Sequence, residues 1–438
     1  GHLYIISDPS RRRTSYPVFD TEWYPTHSVI KNRSRLQERL EIIQDLANKA
    51  KKFINACDLD IEGETIGYNI LRYACGGVEK KSARAKFSTL TRDELRLAFT
   101  NIRSELYLNT AEAGRTRHVI DFIWGINLSR ALSEAYSSFN RGYKTISIGR
   151  VQSPTLSFIV NREVEIQTFV TTPYWLIKAI FEKDDIQITS LYKKNKIENL
   201  LEGKRIKKDC KNKEGIIDEV YKITTPLYPP IPFNTGDLQR ESYRVFGFSP
   251  SQTLKITERL YLEALISYPR TSSQKLPPSI GYRKILMGLK GIKKYSEDIK
   301  ELINKPLNVT EGNKNDPAHP AIYPTGEIPK RELESRESKI YDLIIRRFFS
   351  VFGENALIER STASISISSH NFGVSGKRII KEGWIRYYKI YSKIEDNPLP
   401  SLEKGEHLRM IKIDLLEKWV QPPPRYNQGS LLDLMEKV

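Results

Sequence analysis

The stretch Leu265-Ile266-Ser267-Tyr268-Pro269-Arg270-Thr271-Ser272-Ser273 sets a phenol, a guanidinium and the hydroxyl-rich run Thr271-Ser272-Ser273 close together. A tyrosine ahead of a proline is biased away from the α region and held extended. In an extended segment residues two apart share a face, so Tyr268 and Arg270 point the same way. A phenol titrates near ~10 and is a poor nucleophile while protonated. A fixed cation beside it can stabilise both a phenolate and a phosphate that it attacks. With 23 tyrosines in the chain, most must be packing or surface residues. It is the neighbours of Tyr268, not its residue type, that single it out.

A second stretch, Asp58-Leu59-Asp60-Ile61-Glu62-Gly63-Glu64, holds four acids in seven residues. Alternation can turn Asp58 and Asp60 to one side, and Glu62 can join them. Hard oxygen ligands at this density suit Mg²⁺, which keeps several waters and bridges to phosphate. The competing reading is an acidic first helical turn favoured by the helix dipole, which the mutual repulsion of four carboxylates weakens. A third stretch, Ser147-Ile148-Gly149-Arg150-Val151-Gln152-Ser153-Pro154-Thr155, reads as a loop entering a helix, where Arg150, Gln152 and Ser153 could grip phosphate. His319 lies in a Pro/Gly-rich loop, Ala318 to Gly326, and could be structural or catalytic.

Regular elements must position these residues. Leu36, Leu40, Ile43 and Leu46 have helical spacing within Val29–Lys52. Phe53–Cys57 reads as a short buried strand, followed by the acidic loop and a helix from Thr65 to Tyr73. Strand, acidic loop and helix make half of a parallel α/β unit, whose ligands sit at the carboxyl ends of the strands. Glu112–Asn140 is a long helical pattern carrying Arg115, Arg117, His118, Asp121 and Arg130, a pattern that usually marks a solvated face. After Pro173, strands are expected at Tyr174–Phe181, Ile186–Tyr192 and Ile216–Ile223, with Lys-rich loops and no long helix between them. Further strands are expected at Ala363–Ile367 and Ile379–Tyr391, so one β domain is interrupted by an insertion. Within the insertion Thr235 can cap a helix through about Val245, Gly247 breaks it, and Ser249-Pro250-Ser251 opens another. Helix, glycine turn, helix and the Tyr268 segment form a winged-helix-like pattern. Glu332–Phe352 closes the insertion as a helix, and Pro422–Tyr426 is a stiff arm leading into a last helix.

At 438 residues the chain holds about three ordinary domains. Lys+Arg 70 against Asp+Glu 53 leaves a net charge of +17, an excess that suits a polyanion such as nucleic acid. The three cysteines have no ligand-like spacing, which argues against a disulfide framework or a zinc ribbon. No apolar run is long enough to span a membrane and no signal peptide is evident, so a cytoplasmic protein is expected. No Gly-x₄-Gly-Lys-Ser/Thr loop occurs, so nothing points to ATP hydrolysis. Gly1-His2-Leu3-Tyr4 reads as the interior of a longer protein.

These motifs, together with Pro232-Phe233-Asn234-Thr235-Gly236-Asp237-Leu238-Gln239, His319-Pro320-Ala321-Ile322, and Pro422–Tyr426 with Gly429-Ser430-Leu431, stand in the order found in type IA DNA topoisomerases. The chain resembles that family over nearly its whole length, and most of all its archaeal topoisomerase III members. The resemblance implies a multidomain α/β, α and β protein forming a torus. Its parts would be a Toprim α/β domain (1–108), a helical domain (109–168 and 418–438), a discontinuous β arch (169–228 and 356–417) and a winged-helix-like active-tyrosine domain (229–355). It implies ATP-independent cleavage of one DNA strand through a 5′-phosphotyrosine, strand passage and religation, relaxing negative supercoils, with decatenation as a further outcome. By position Tyr268 is the nucleophile, Arg270 steadies the scissile phosphate, and Asp58, Asp60 and Glu62 bind Mg²⁺. Arg117 and Asp121 match a pair that positions DNA, while Arg150, Gln152, Ser153 and His319 would contact the strand near the cut. Implied partners are single-stranded and negatively supercoiled DNA, with a helicase as a candidate; a monomer in the nucleoid is expected.

The chain departs from the family pattern in places. Ile61 stands where the family often has arginine. The family's first Toprim strand, with its Glu and nearby Lys, would precede Gly1, and a Gly-rich segment would follow Val438. The competing readings are the topoisomerase half of a reverse gyrase, a non-catalytic single-strand-binding relative, and a Toprim nuclease or primase, which would have the acids but no use for the Tyr268 segment.

Overall fold

The computed structural model describes residues 2–10, 15–139 and 142–437; Gly1, Asn140 and Val438, used above as boundaries, lie outside them. Strand β1 (Tyr4–Ser7) pairs antiparallel with β2 (Glu22–Pro25), and a short α1 (Thr26–Val29) leads to α2 (Ser34–Ala47), which buries Leu40 against Leu3 and Tyr4. Strand β3 (Ile54–Asn55), α3 (Ile61–Tyr73) and β4 (Ala83–Arg84) follow, with β3 and β4 parallel as a strand–helix–strand unit requires. The helix starts earlier than expected, at Ile61 rather than Thr65, because the Asp60 side chain caps it by accepting from the Gly63 N–H at 2.7 Å. Gly63 is needed for close approach: a Cβ there would overlap the Asp58 carbonyl oxygen. Gly63→Ala should therefore destabilise the chain by about 1–3 kcal/mol, the range for overpacking. A thermal melt reads this directly, and an unchanged midpoint would mean that the acidic loop yields freely.

Helix α4 (Arg92–Thr100) leads into α5 (Leu108–Phe139), a 32-residue helix that packs along α3. A Cβ on Gly114 would meet Thr65 Oγ1 and Ile61, so the two helices touch backbone to side chain at that point. Helix α6 (Gln152–Gln167) begins one residue before the expected Ser-Pro start.

The β region then departs from expectation. Strands β5 (Pro173–Lys183) and β6 (Ile186–Tyr192) stand as read, but α7 (Leu200–Cys210) separates them from β7 (Gly215–Leu227), where no long helix was expected. Asn199 caps α7, and Gly203, Ile206 and Cys210 form its buried stripe.

In the segment between the two β blocks, α8 (Thr235–Phe246) is capped by Asn234 rather than Thr235, its side chain accepting from the Asp237 N–H at 2.7 Å. The Thr235 hydroxyl donates instead to the Pro269 and Thr271 carbonyls, tying this helix start to the Tyr268 segment. Gly247 (φ 70°) ends α8, and Ser249 with Gln252 forms a capping box that opens α9 (Pro250–Leu262). Helices α10 (Tyr282–Leu289), α11 (Ser296–Ile303) and α12 (Ser335–Ser350) complete the segment. Helix α12 is amphipathic and packs one face into the core, burying Ile340, Leu343, Ile344, Phe348 and Phe349, while Arg336 and Lys339 stay exposed. Its buried Asp342 accepts from the Tyr295 and Tyr391 hydroxyls at 2.7 and 2.5 Å, so the carboxylate is not left unpaired.

Strands β8 (Ala356–Ile367) and β9 (His370–Lys381) return to the β region, and residues 385–391, expected as strand, instead form α13 (Ile385–Tyr388) and a 3₁₀ turn. Tyr387, Tyr388 and Tyr391 are buried against the α12 core by this helical turn. Strand β10 (His407–Trp419), not foreseen, closes a barrel in the order β10-β5-β6-β9-β8-β7, three strands from each side of the intervening segment. Helix α14 (Gln428–Lys437) packs on α8. No helix among the described residues is long and apolar enough to cross a membrane.

Candidate active site

Tyr268 leaves α9 on an extended segment. Its backbone N–H donates to the Ser88 carbonyl at 2.8 Å, and that of Ser267 to the Tyr323 carbonyl at 2.9 Å. The phenol is buried, and its hydroxyl donates to Asp60 Oδ2 at 2.6 Å. Tyrosine and acidic loop, 208 positions apart in sequence, thus meet directly. Beside them the Tyr261 hydroxyl donates to Asp58 Oδ1 at 2.8 Å, and the two tyrosine rings stand edge to face at 5.3 Å. Burial, then the hydrogen bond to Asp60 and its charge, push the Tyr268 phenol far above its usual range. Burial also raises the Asp58 carboxyl; the Tyr261 hydrogen bond opposes this and the neighbouring Asp60 charge adds to it.

The three expected metal-binding acids do not converge. Asp58 and Asp60 stand together, whereas Glu62 turns to His2 and His118, whose Nε2 atoms lie 2.8 and 3.1 Å from its Oε2. The reason is the early start of α3: Glu62 follows the helical period, so alternation no longer aligns it with Asp58 and Asp60. Two adjacent carboxylates, with the charge of Asp60 helping to raise Asp58, still suit a hard cation, which would relieve their repulsion. Asp58 and Asp60 therefore fit a Mg²⁺-type ion, and Glu62 as placed does not complete that set.

Arg84, fully buried, fixes the acidic loop from below. It pairs with buried Glu64 and donates to the Asp58 carbonyl at 2.9 Å and the Asn55 carbonyl at 3.1 Å. Sequence reading missed Arg84, since nothing local marks a cation whose partners Glu64, Asn55 and Asp58 lie 20 or more positions away.

Arg270 donates to Glu258 Oε1 at 2.6 Å and stays half exposed. With Asp60, Glu62, Lys86, Arg117, Asp316 and His319 it lines a cleft of about 530 Å³. His319 is buried, its ring 4.6 Å from that of Tyr268 and its Nδ1 3.0 Å from the Ser88 hydroxyl; the Leu59 backbone lies beside the ring, and Nε2 has no partner in hydrogen-bonding geometry. Burial lowers its pKa to about 4, so it is neutral at pH 7. Between about pH 6.5 and 4 the unfolded chain therefore binds a proton here that the folded chain does not, and stability falls as pH drops through that window. His319→Gln should flatten this acid-side loss, seen by comparing urea midpoints at pH 7 and pH 4.5; an equal loss in both proteins would refute it. Ser88, which holds both the Tyr268 backbone and the His319 ring, and Lys86 were also missed by sequence reading.

The remaining expected DNA-contacting residues lie apart from the cleft, except Arg117. Asp121 accepts from Arg150 at 2.6 and 3.2 Å and lies 3.8 Å from Arg117, so α5 and the turn ahead of α6 share one ion-pair network. Gln152 and Ser153 open α6 without lining the cleft.

Residues 105–438 match the family described as DNA topoisomerase, and residues 3–90 match the Toprim domain, a metal-binding fold. A DNA topoisomerase 1 of Pyrococcus horikoshii is 43% identical over 440 residues, covering 100% of this chain and 64% of that protein. A DNA topoisomerase 1 of Methanothermobacter thermautotrophicus is 41% identical over 441 residues, 100% of this chain and 60% of its own length. A DNA topoisomerase 3 of Bacillus subtilis is 29% identical, with 100% and 62% covered. The solved structure of full-length topoisomerase I from Thermotoga maritima superposes with a TM-score of 0.76 at 26% identity, covering 100% of this chain and 70% of that one. The chain spans less than two thirds of the length of these curated relatives. A buried phenol held against a Toprim carboxylate, within a chain matched end to end by such relatives, places this protein in the type IA DNA topoisomerase family.

Proposed function

We propose that this chain carries the strand-cleavage centre of an ATP-independent topoisomerase, with Tyr268 as nucleophile, Arg270 and His319 at the scissile phosphate, and Asp58 and Asp60 as ligands of Mg²⁺. The observation that carries the reading is the Tyr268–Asp60 hydrogen bond. In cleavage the Tyr268 oxygen bonds to phosphorus, the bond from phosphorus to the 3′ oxygen breaks, and the DNA 5′ phosphate stays on the tyrosine. The phenolic proton passes to Asp60 Oδ2, its present partner, and on to the departing 3′ oxygen, so none is gained or lost. Religation reverses each step, and the phosphotyrosine bond conserves the energy of the phosphodiester, so no nucleotide is consumed. Arg270, half exposed, has donors beyond those given to Glu258 and can turn them to phosphate. Neutral His319 can offer its unpaired Nε2 to the strand without adding charge. Mg²⁺, when bound, supplies positive charge for the phosphate oxygens.

In this reading 1–108 forms the Toprim domain, 109–168 with 418–438 the helical domain, 169–228 with 356–417 the β arch, and 229–355 the active-tyrosine domain. Arg117, Asp121, Arg150, Gln152 and Ser153 lie along the incoming strand. Single-stranded DNA, and negatively supercoiled DNA that exposes it, are the substrates; relaxation and decatenation are the outcomes in the whole protein, with a helicase as partner. The test is incubation with end-labelled single-stranded DNA and Mg²⁺, followed by denaturant. A covalent adduct is expected, and its absence under all metal conditions would overturn the reading. Binding should also weaken with salt at a logarithmic slope of about −0.7 per neutralised phosphate. A fluorescence anisotropy titration measures this, and a flat profile would contradict a backbone-binding site.

A further inference from the structure

Glu62 is occupied in a way that the strand-cleavage chemistry does not require. His2 lies just ahead of β1, Glu62 in the first turn of α3 and His118 on α5. The Nε2 atoms of both histidines approach one oxygen, Glu62 Oε2, at 2.8 and 3.1 Å, and the imidazole rings stand 4.9 Å apart at 63°. Among the described residues this is the one group of three or more His, Cys, Asp or Glu side chains whose ligand atoms all lie within 4.8 Å of one another. We propose that His2, Glu62 and His118 form a binding site for a borderline-soft divalent ion of the Zn²⁺ class, separate from the Asp58–Asp60 pair.

The ligand chemistry separates the two sites. Two imidazole nitrogens and one carboxylate oxygen suit Zn²⁺ and its neighbours, whereas Mg²⁺ takes oxygen ligands and keeps its waters. At metal–ligand distances of about 2.0–2.2 Å in tetrahedral geometry, neighbouring ligand atoms stand roughly 3.3–3.5 Å apart. The spacings of 2.8 and 3.1 Å need to open by only a few tenths of an ångström to admit an ion. All three side chains are about one third exposed (30%, 35% and 33%), which leaves an entry path and room for water as fourth ligand.

The surrounding structure holds the ligands in place. The His2 carbonyl accepts from the Thr26 hydroxyl at 3.1 Å, and the His118 ring meets Trp23 edge-on at 5.8 Å. Glu62 and His118 are set by the close approach of α3 and α5 at Gly114. An ion here would tie three separate parts of the chain together beside the cleft that Glu62 borders.

Co²⁺ serves as a spectroscopic stand-in for Zn²⁺ in the test. Added to the metal-free protein, it should give visible ligand-field bands of a nitrogen–oxygen site at one equivalent, which Zn²⁺ abolishes and millimolar Mg²⁺ does not. The bands should survive Asp58→Asn/Asp60→Asn. His118→Ala and His2→Ala should each weaken Co²⁺ binding by more than the roughly 10–100-fold typical of losing an outer-shell partner. Circular dichroism of His118→Gln checks that a loss is not unfolding: this variant should lose the bands while keeping its helical signal. The proposal is overturned if Co²⁺ does not bind, if Mg²⁺ displaces it, or if the histidine variants bind it unchanged. An intense near-ultraviolet sulfur charge-transfer band would also overturn it, by placing the ion on Cys57 or Cys75.

Discussion

Tyr268→Phe should reduce covalently trapped DNA to background, a loss on the order of 10⁴-fold or more, as removal of a catalytic nucleophile does elsewhere. Phenylalanine keeps the ring, its edge-on packing against Tyr261 and its contact with His319. It removes only the oxygen that donates to Asp60. The fold and single-strand affinity should therefore change little, and anisotropy titrations of the two proteins should nearly overlay. A comparable adduct in the Phe variant would move the nucleophile to another residue, with the neighbouring Tyr261 first in line.

The largest expected loss of stability comes from Arg84→Ala. Arg84 and Glu64 are both essentially unexposed, and removal of the cation leaves a buried carboxylate uncompensated. Breaking such a pair costs about 3–5 kcal/mol. Glu64 Oε2 already lacks a hydrogen-bond partner, so nothing nearby can take over. The same change frees the Asp58 carbonyl, so the acidic loop should loosen and the metal requirement for cleavage should rise. Chemical denaturation measures the first effect and a Mg²⁺ titration of adduct yield the second. Replacement of both partners by apolar residues should recover much of the stability but not the loop geometry.

The parts of this molecule legible in the sequence are those whose signals are local. Gly247 with Ser249-Pro250 marked the turn between α8 and α9, because positive φ and capping act within a few residues. The acidic run and the Tyr-Pro-Arg segment each drew attention by composition alone. Helix α7 was missed because its buried stripe is only Gly203, Ile206 and Cys210 among charged residues. Residues 385–391 read as strand by composition, yet they bury aromatics at helical spacing. Strand β10 escaped notice because charged and exposed positions interrupt its alternation. Glu62 stands beside His2 and His118, a pairing no local spacing shows, because a single cap, Asp60, changes the local period from two to 3.6. Ser88 and Arg84 act through partners distant in sequence, which no spacing rule reaches.

Mass spectrometry of the DNA-linked peptide tests the central claim most directly. Single-stranded oligonucleotide would be trapped on the native protein with denaturant, trimmed by nuclease, and the protein digested. The account predicts one peptide carrying Tyr268, with a nucleotide joined through its 5′ phosphate to the phenolic oxygen. A nucleotide found on any other residue, or joined through a 3′ phosphate, would contradict it.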